Sequence, residues 1–246
     1  MGKEQRSRSK LNPGTLCYLC LEPLLEGQPW DRDHVPPQRI FGKDLRRQFG
    51  LQLEWLPTHR VCNNAAKSDE EYFVLALAGH HRTPTGEAVW RDIERGAKKG
   101  HALGLIKRIV GQFGTVTLAD GSTTFGLEPR AKTAAWKIIR GLYALRSPMP
   151  LSVDQPHLVE IVPRSETGRR LADHPWFPLV RDTEPLGRYG AVFDYKWIGI
   201  PVLGIRAHGF AMLLWDSLIV TGLFHDPSCT CKDCRRPRTA TAGPSA

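Results

Sequence analysis

Two short pairs of residues constrain this chain more than anything else in it: Cys17-Tyr18-Leu19-Cys20 and His59-Arg60-Val61-Cys62. In each pair two spacer residues separate the ends, the spacing with which one tight turn presents two ligands to one metal ion. Together the pairs supply three thiols and an imidazole, a Cys3His set that suits tetrahedral zinc. The small unit they would clip together has too few apolar residues to fold unaided, so metal binding is expected to supply folding free energy. Inside that unit lies Asp33-His34-Val35-Pro36-Pro37, and directly after it come Asn63-Asn64 and Lys67.

Bulk properties narrow the setting. A chain of 246 residues allows one large domain or two small ones. No run of about eighteen apolar residues occurs, so no membrane span is expected. The first ten residues are polar and basic, without the apolar stretch of a secretory signal, and the expected location is cytoplasmic. Thiols stay reduced there, which makes metal binding a better default than disulfides for Cys17, Cys20 and Cys62. Lys and Arg number 34 against 25 Asp and Glu, a net charge of +9 that favours a polyanionic partner.

The order of the pieces is specific. After Cys17-x2-Cys20 come Asp33-His34-Val35-Pro36-Pro37-Gln38-Arg39-Ile40-Phe41, then Pro57-Thr58-His59-Arg60-Val61-Cys62-Asn63-Asn64, then Lys67-Ser68-Asp69-Glu70-Glu71-Tyr72-Phe73. This linked order resembles the HNH endonuclease family, in particular bacterial and phage proteins that read CxxC, (D/E)HxPPxxxF, PxCxxCN and SK(D/E)(D/E)EYF. The likeness covers residues 14 to 80. It implies a ββα-metal fold with a structural zinc, and the cutting of DNA, with RNA as an alternative substrate.

Phosphodiester hydrolysis needs a deprotonated water, neutralisation of charge on the phosphoryl oxygens, and an electrophile for the leaving oxygen. Adjacent residues on a strand point to opposite faces, so an Asp-His pair at a strand end can divide these tasks if the end bends. The resemblance implies that His34 is the general base, a role that suits a group titrating near neutrality. It further implies that Asp33 and Asn63 hold a catalytic Mg²⁺ or Mn²⁺, hard cations that prefer oxygen ligands. Asn64 is the alternative to Asn63 by one register step, and Arg60 or Lys67 can contact phosphate. The family's middle Asn, which orients the base His, has no counterpart here. Glu54 or Gln52 falls at that place, depending on register. His59 stands where the family has Cys, an exchange that zinc tolerates.

The rival reading is a non-catalytic zinc module that binds nucleic acid or a protein. A redox role for Cys17-x2-Cys20 lacks the βαβ context it needs.

Elsewhere the chain reads more coarsely. Residues 1–13 are expected to be a basic flexible arm, 14–82 the metal unit, 83–225 an α+β domain with an antiparallel sheet, and 226–246 a flexible tail. A helix is expected over Asp69–Ala78. Thr83-Pro84-Thr85-Gly86 reads as a boundary, followed by helix with a basic stripe over Glu87–Val110. Asp120-Gly121 marks a hairpin within Thr115–Phe125. In Lys132–Leu145 the stripe Ala135, Trp136, Ile139, Leu142 and Tyr143 reads as core. Strands are expected at Leu158–Val162 and, as a pair, at Gly190–Ile200 and Phe210–Thr221. His225, Cys229, Cys231 and Cys234 offer four ligands within ten residues. That spacing is cramped for a closed zinc site, so reduced, exposed thiols are expected.

Overall fold

The computed structural model of the protein describes residues 14–78, 83–98, 129–164, 171, 174–187, 189–202 and 205–235. The arm before residue 14, the Thr115–Phe125 hairpin, the basic stripe beyond residue 98 and the tail beyond residue 235 lie outside them. Helices combine with two antiparallel sheets, as an α+β chain requires.

Strand β1 (Trp30–His34) pairs antiparallel with β2 (Trp55–His59), setting Asp33 against Leu56 and His34 against Trp55. Pro36 and Pro37 turn the chain sharply after β1, and both are buried. A 3₁₀ turn (Gln38–Phe41) and helix α1 (Lys43–Gln48) fill the connection. Helix α2 (Arg60–Ala78) leaves β2 without an intervening loop. It begins nine residues before the helix expected from the sequence, because its first turns are polar and face metal ligands and solvent rather than a core. Its last seven residues, Tyr72–Ala78, are all buried. The polar half therefore carries no apolar period to read, and the apolar half reads clearly.

Thr83, in the stretch read as a boundary, caps helix α3 (Pro84–Lys98): its hydroxyl accepts the Gly86 N–H at 3.1 Å, and Pro84 takes the first helical position. Helix α4 (Pro129–Ala144) follows, and the expected stripe Ala135, Trp136, Ile139, Leu142 and Tyr143 is buried. Beyond it, β3 (His157–Pro163), β4 (Phe193–Val202), β5 (Ile205–Leu214) and β6 (Leu218–His225) form a sheet in the order β3-β6-β5-β4. A short helix, α5 (Phe177–Arg181), covers the face opposite α4 with Trp176, Phe177 and Val180. A last turn of helix, α6, spans Lys232–Arg235.

The strand expected at Phe210–Thr221 is corrected. It contains the end of β5, a turn at Trp215-Asp216-Ser217 and the start of β6. Trp215 and Asp216 have φ of 52° and 55°, a left-handed conformation usually signalled by Gly or Asn. Trp215 tolerates it because its ring is fully buried and its indole N–H donates to the Ile40 carbonyl at 2.7 Å. Burial of a large aromatic outweighs the local backbone preference.

One continuous apolar cluster joins Tyr18, Val35, Ile40 and Tyr72 to Trp136, Ile139, Phe210 and Phe224. Helix α4 lies at its centre. A Cβ placed on Gly141 would sit 2.7 and 2.8 Å from the Val35 methyls, so this glycine lets α4 close onto the residue that follows β1.

Candidate functional site

The first Cys-x2-Cys pair sits on a tight turn. The Leu21 N–H bonds the Cys17 carbonyl at 2.8 Å and the Cys17 N–H bonds the Glu22 carbonyl at 2.9 Å. The second pair spans the junction of β2 and α2: His59 ends the strand and Cys62 lies in the first helical turn. The ligand atoms of Cys17, Cys20, His59 and Cys62 all lie within 4.8 Å of one another. His59 Nδ1 is 3.3 Å from Cys20 Sγ and 4.0 Å from Cys62 Sγ. Zn–S bonds of about 2.3 Å and Zn–N bonds of about 2.0–2.1 Å in a tetrahedron put N and S about 3.6 Å apart. The cluster therefore has both the donors and the spacing to hold a metal such as zinc.

The surroundings support the same reading. His59 Nε2, the nitrogen turned away from the thiols, lies 3.2 Å from Gln28 Oε1, a contact that fixes the tautomer with Nδ1 free to ligate. Burial would raise the Cys17 thiol, but hydrogen bonds from Thr58 and from the backbone at Cys20, His59 and Leu19 prevail and hold it at about 6. Burial, then the charge on Cys17, pushes Cys62 up to about 12. Negative charge crowded in this way is what a dication relieves.

The Asp-His pair lies at the C-terminal end of β1. His34 is half-buried, and the Gln38 amide nitrogen lies 2.9 Å from its Nε2 and 3.2 Å from its Nδ1. Arg46 holds Gln38 in turn, donating to Oε1 at 3.1 Å. Burial lowers the His34 pKa; Asp33 opposes the shift and Arg46 and Arg32 add to it. The net shift favours the uncharged imidazole.

Gln38 is the side chain in contact with the His34 ring, where the sequence offered Glu54 or Gln52. The Glu54 carboxylate instead faces Arg146 at 3.9 Å, and Gln52 is exposed. Gln38 was within reach of the sequence, four residues after His34 in the stretch that carries the resemblance.

Asp33 is placed differently from an open cation ligand. Its side chain is 7% exposed. The Tyr18 hydroxyl donates to Oδ2 at 2.5 Å, and Lys137 Nζ, from α4, lies 2.8 Å from the same oxygen. Lys137 also pairs with Glu70 of α2. Burial pushes the Glu70 carboxyl up, against the pull of Lys137. Both of these Asp33 contacts converge on Oδ2.

Asn63 is half-buried in the first turn of α2, one residue beyond Cys62, while Asn64 and Lys67 are exposed. Arg60 is exposed and pairs with Asp31 at 3.2 Å. Arg32 stacks its guanidinium 4.5 Å from the centre of the Trp55 ring. Sequence reasoning missed Lys137 and also Arg140, whose buried guanidinium donates to the carbonyls of Tyr18 at 3.0 Å and Leu19 at 2.8 Å. Arg140 thereby ties the Cys17–Cys20 turn to α4. Their signal was two cations three residues apart beside an apolar helical stripe.

No family model, no curated protein and no solved structure matches this chain.

Proposed function

We propose that the protein is a metal-dependent endonuclease of the HNH type that hydrolyses DNA phosphodiester bonds, with His34 as general base. The observation that supports this most is the strand-strand-helix order that carries the Cys17, Cys20, His59 and Cys62 cluster, with the His34 imidazole at the end of β1. Gln38 and Arg46 orient that imidazole, and the +9 net charge suits a polyanionic substrate. The Asp33 carboxylate and the Asn63 amide oxygen are the donors for Mg²⁺ or Mn²⁺, which would supply charge neutralisation at the phosphate. Exposed Lys67, and Arg60 if it exchanges Asp31 for the substrate, would contact phosphate.

One observation favours a second reading, a zinc module that binds nucleic acid without cutting it. The cation that the Asp33 carboxylate meets is the Lys137 ammonium. In that case the Asp-His pair is architectural. Plasmid cleavage with Mg²⁺ and Mn²⁺, beside a His34→Ala control with unchanged zinc content, decides between the two. The enzyme cuts and the variant loses about 10²–10⁴ in rate. A wild type that cuts nothing with either cation, or a variant that cuts equally well, refutes the assignment.

A further inference from the structure

We infer that the end of the chain carries a second zinc centre, formed by His225 Nδ1 and the thiolates of Cys229, Cys231 and Cys234. The sequence argued against it, because four ligands within ten residues leave little chain to wrap around an ion. The fold removes that objection by bringing the ligands in from three kinds of backbone. His225 is the last residue of β6, paired with Ala207 of β5, so one ligand stands on the rigid sheet. A turn then reverses the chain: the Cys229 N–H bonds the Asp226 carbonyl at 2.9 Å, which swings Cys229 back toward His225. Helix α6 supplies Cys234.

All four ligand atoms fall within 4.8 Å of one another. His225 Nδ1 lies 3.3 Å from Cys231 Sγ, 3.3 Å from Cys234 Sγ and 3.7 Å from Cys229 Sγ. A tetrahedral zinc with one nitrogen and three sulfur ligands requires about 3.6 Å between N and S. This cluster meets that value as closely as the first one does, although no motif pointed to it. A disulfide accounts for it less well, since three thiols cannot all pair and the imidazole would have no part.

A supporting shell is present. Gln155, a buried residue just before β3, donates to the His225 carbonyl at 3.0 Å and reaches Cys234 Sγ at 3.9 Å. Asp226 accepts the Ser228 N–H at 2.9 Å and lies 3.0 Å from Nε2 of buried His208. The His208 Nδ1 accepts the Trp197 indole N–H at 3.2 Å. Metal sites depend on such outer contacts to hold ligands in place. The ion would pin the segment after β6 back onto the end of that strand. The centre shares no ligand with the first, and its existence does not depend on cleavage.

The test is zinc stoichiometry on the full chain, purified without chelator and measured by elemental analysis. The wild type is expected to hold two zinc ions per chain, Cys231→Ser one, Cys20→Ser one, and the double variant none. A wild type with one zinc that Cys231→Ser retains overturns the proposal. Because either variant can lose its fold, alkylation of the native wild type gives an independent reading. Mass spectrometry should find Cys229, Cys231 and Cys234 protected until zinc is chelated. Rapid modification of these three while Cys17, Cys20 and Cys62 stay protected refutes the second centre and leaves the first standing.

Discussion

Lys137→Met should be among the most destabilising conservative changes in this protein. The Lys137 side chain is 8% exposed and touches two carboxylates, buried Asp33 (7%) and largely enclosed Glu70 (13%). Methionine fills much of the same volume, so little is lost in packing. What is lost is the ammonium placed between two desolvated carboxylates. Breaking a buried pair by removing one partner costs about 3–5 kcal/mol, because the other charge stays behind. The cost has a sign in pH. Burial already raises the Glu70 carboxyl, and the ammonium is what restrains it. Without Lys137 the folded-state value rises further. A carboxyl raised on folding costs nothing below its unfolded value, about 4.3, and costs more as pH climbs through its folded value. The deficit relative to wild type should therefore be larger at pH 8 than at pH 5.5. Urea unfolding at saturating zinc, run on both proteins at both pH values, measures it. Adding Glu70→Gln should recover part of the loss, since the two sites interact and their effects do not add. A deficit below about 1 kcal/mol at pH 8, the size of an exposed pair, would refute the reasoning.

Cys20→Ser should lose the first metal and unfold residues 14–78 locally, read as faster amide exchange there; unchanged protection means that zinc does not hold this unit. Gly141→Ala should destabilise by about 1–3 kcal/mol despite the helix preference of alanine, because its methyl meets Val35 at 2.7 Å. Denaturant midpoints check this, and a variant as stable as wild type contradicts the packing. DNA binding should weaken linearly in log affinity against log salt, as a surplus of basic over acidic side chains requires, and a flat titration counts against an electrostatic interface. Asp33→Ala should raise the Mg²⁺ or Mn²⁺ concentration needed for half-maximal cleavage; if cleavage falls equally at every cation concentration, Asp33 acts through the fold.

Parts of this were legible because metal ligands and apolar periods are local signals. Cys17-x2-Cys20 and His59-x2-Cys62 each fit within one turn, so spacing alone revealed them. The stripe from Ala135 to Tyr143 announced a core helix by its period. Long-range partnerships left no such trace. Lys137 meets Asp33 across 104 positions, the difference of the two residue numbers, and nothing in either neighbourhood marks the pairing. The Trp215 turn escaped because a buried indole, rather than a turn-forming residue, holds its backbone in place. The second cluster was discounted on chain length, which takes no account of a strand end that fixes His225 before the loop begins.

The placement of Lys137 and Arg140 has a consequence for the metal unit. Both come from α4, yet one neutralises Asp33 and the other holds the turn carrying Cys17 and Cys20. Two basic residues three positions apart on one helix therefore reach the Asp-His end of β1 and the zinc turn together, and Gly141 brings the same helix against Val35. The first unit buries its face on α4, and α4 buries its other face on the sheet. A change in how α4 seats would then move the Asp33 charge balance and the metal clip as one. Under the nuclease reading, a divalent cation would have to displace the Lys137 ammonium from Oδ2, with the Tyr18 hydroxyl still donating to that oxygen. Under the binding reading, the same ammonium is a permanent substitute for that cation. Asp33 and Lys137, together with His34, are the residues on which the two readings diverge.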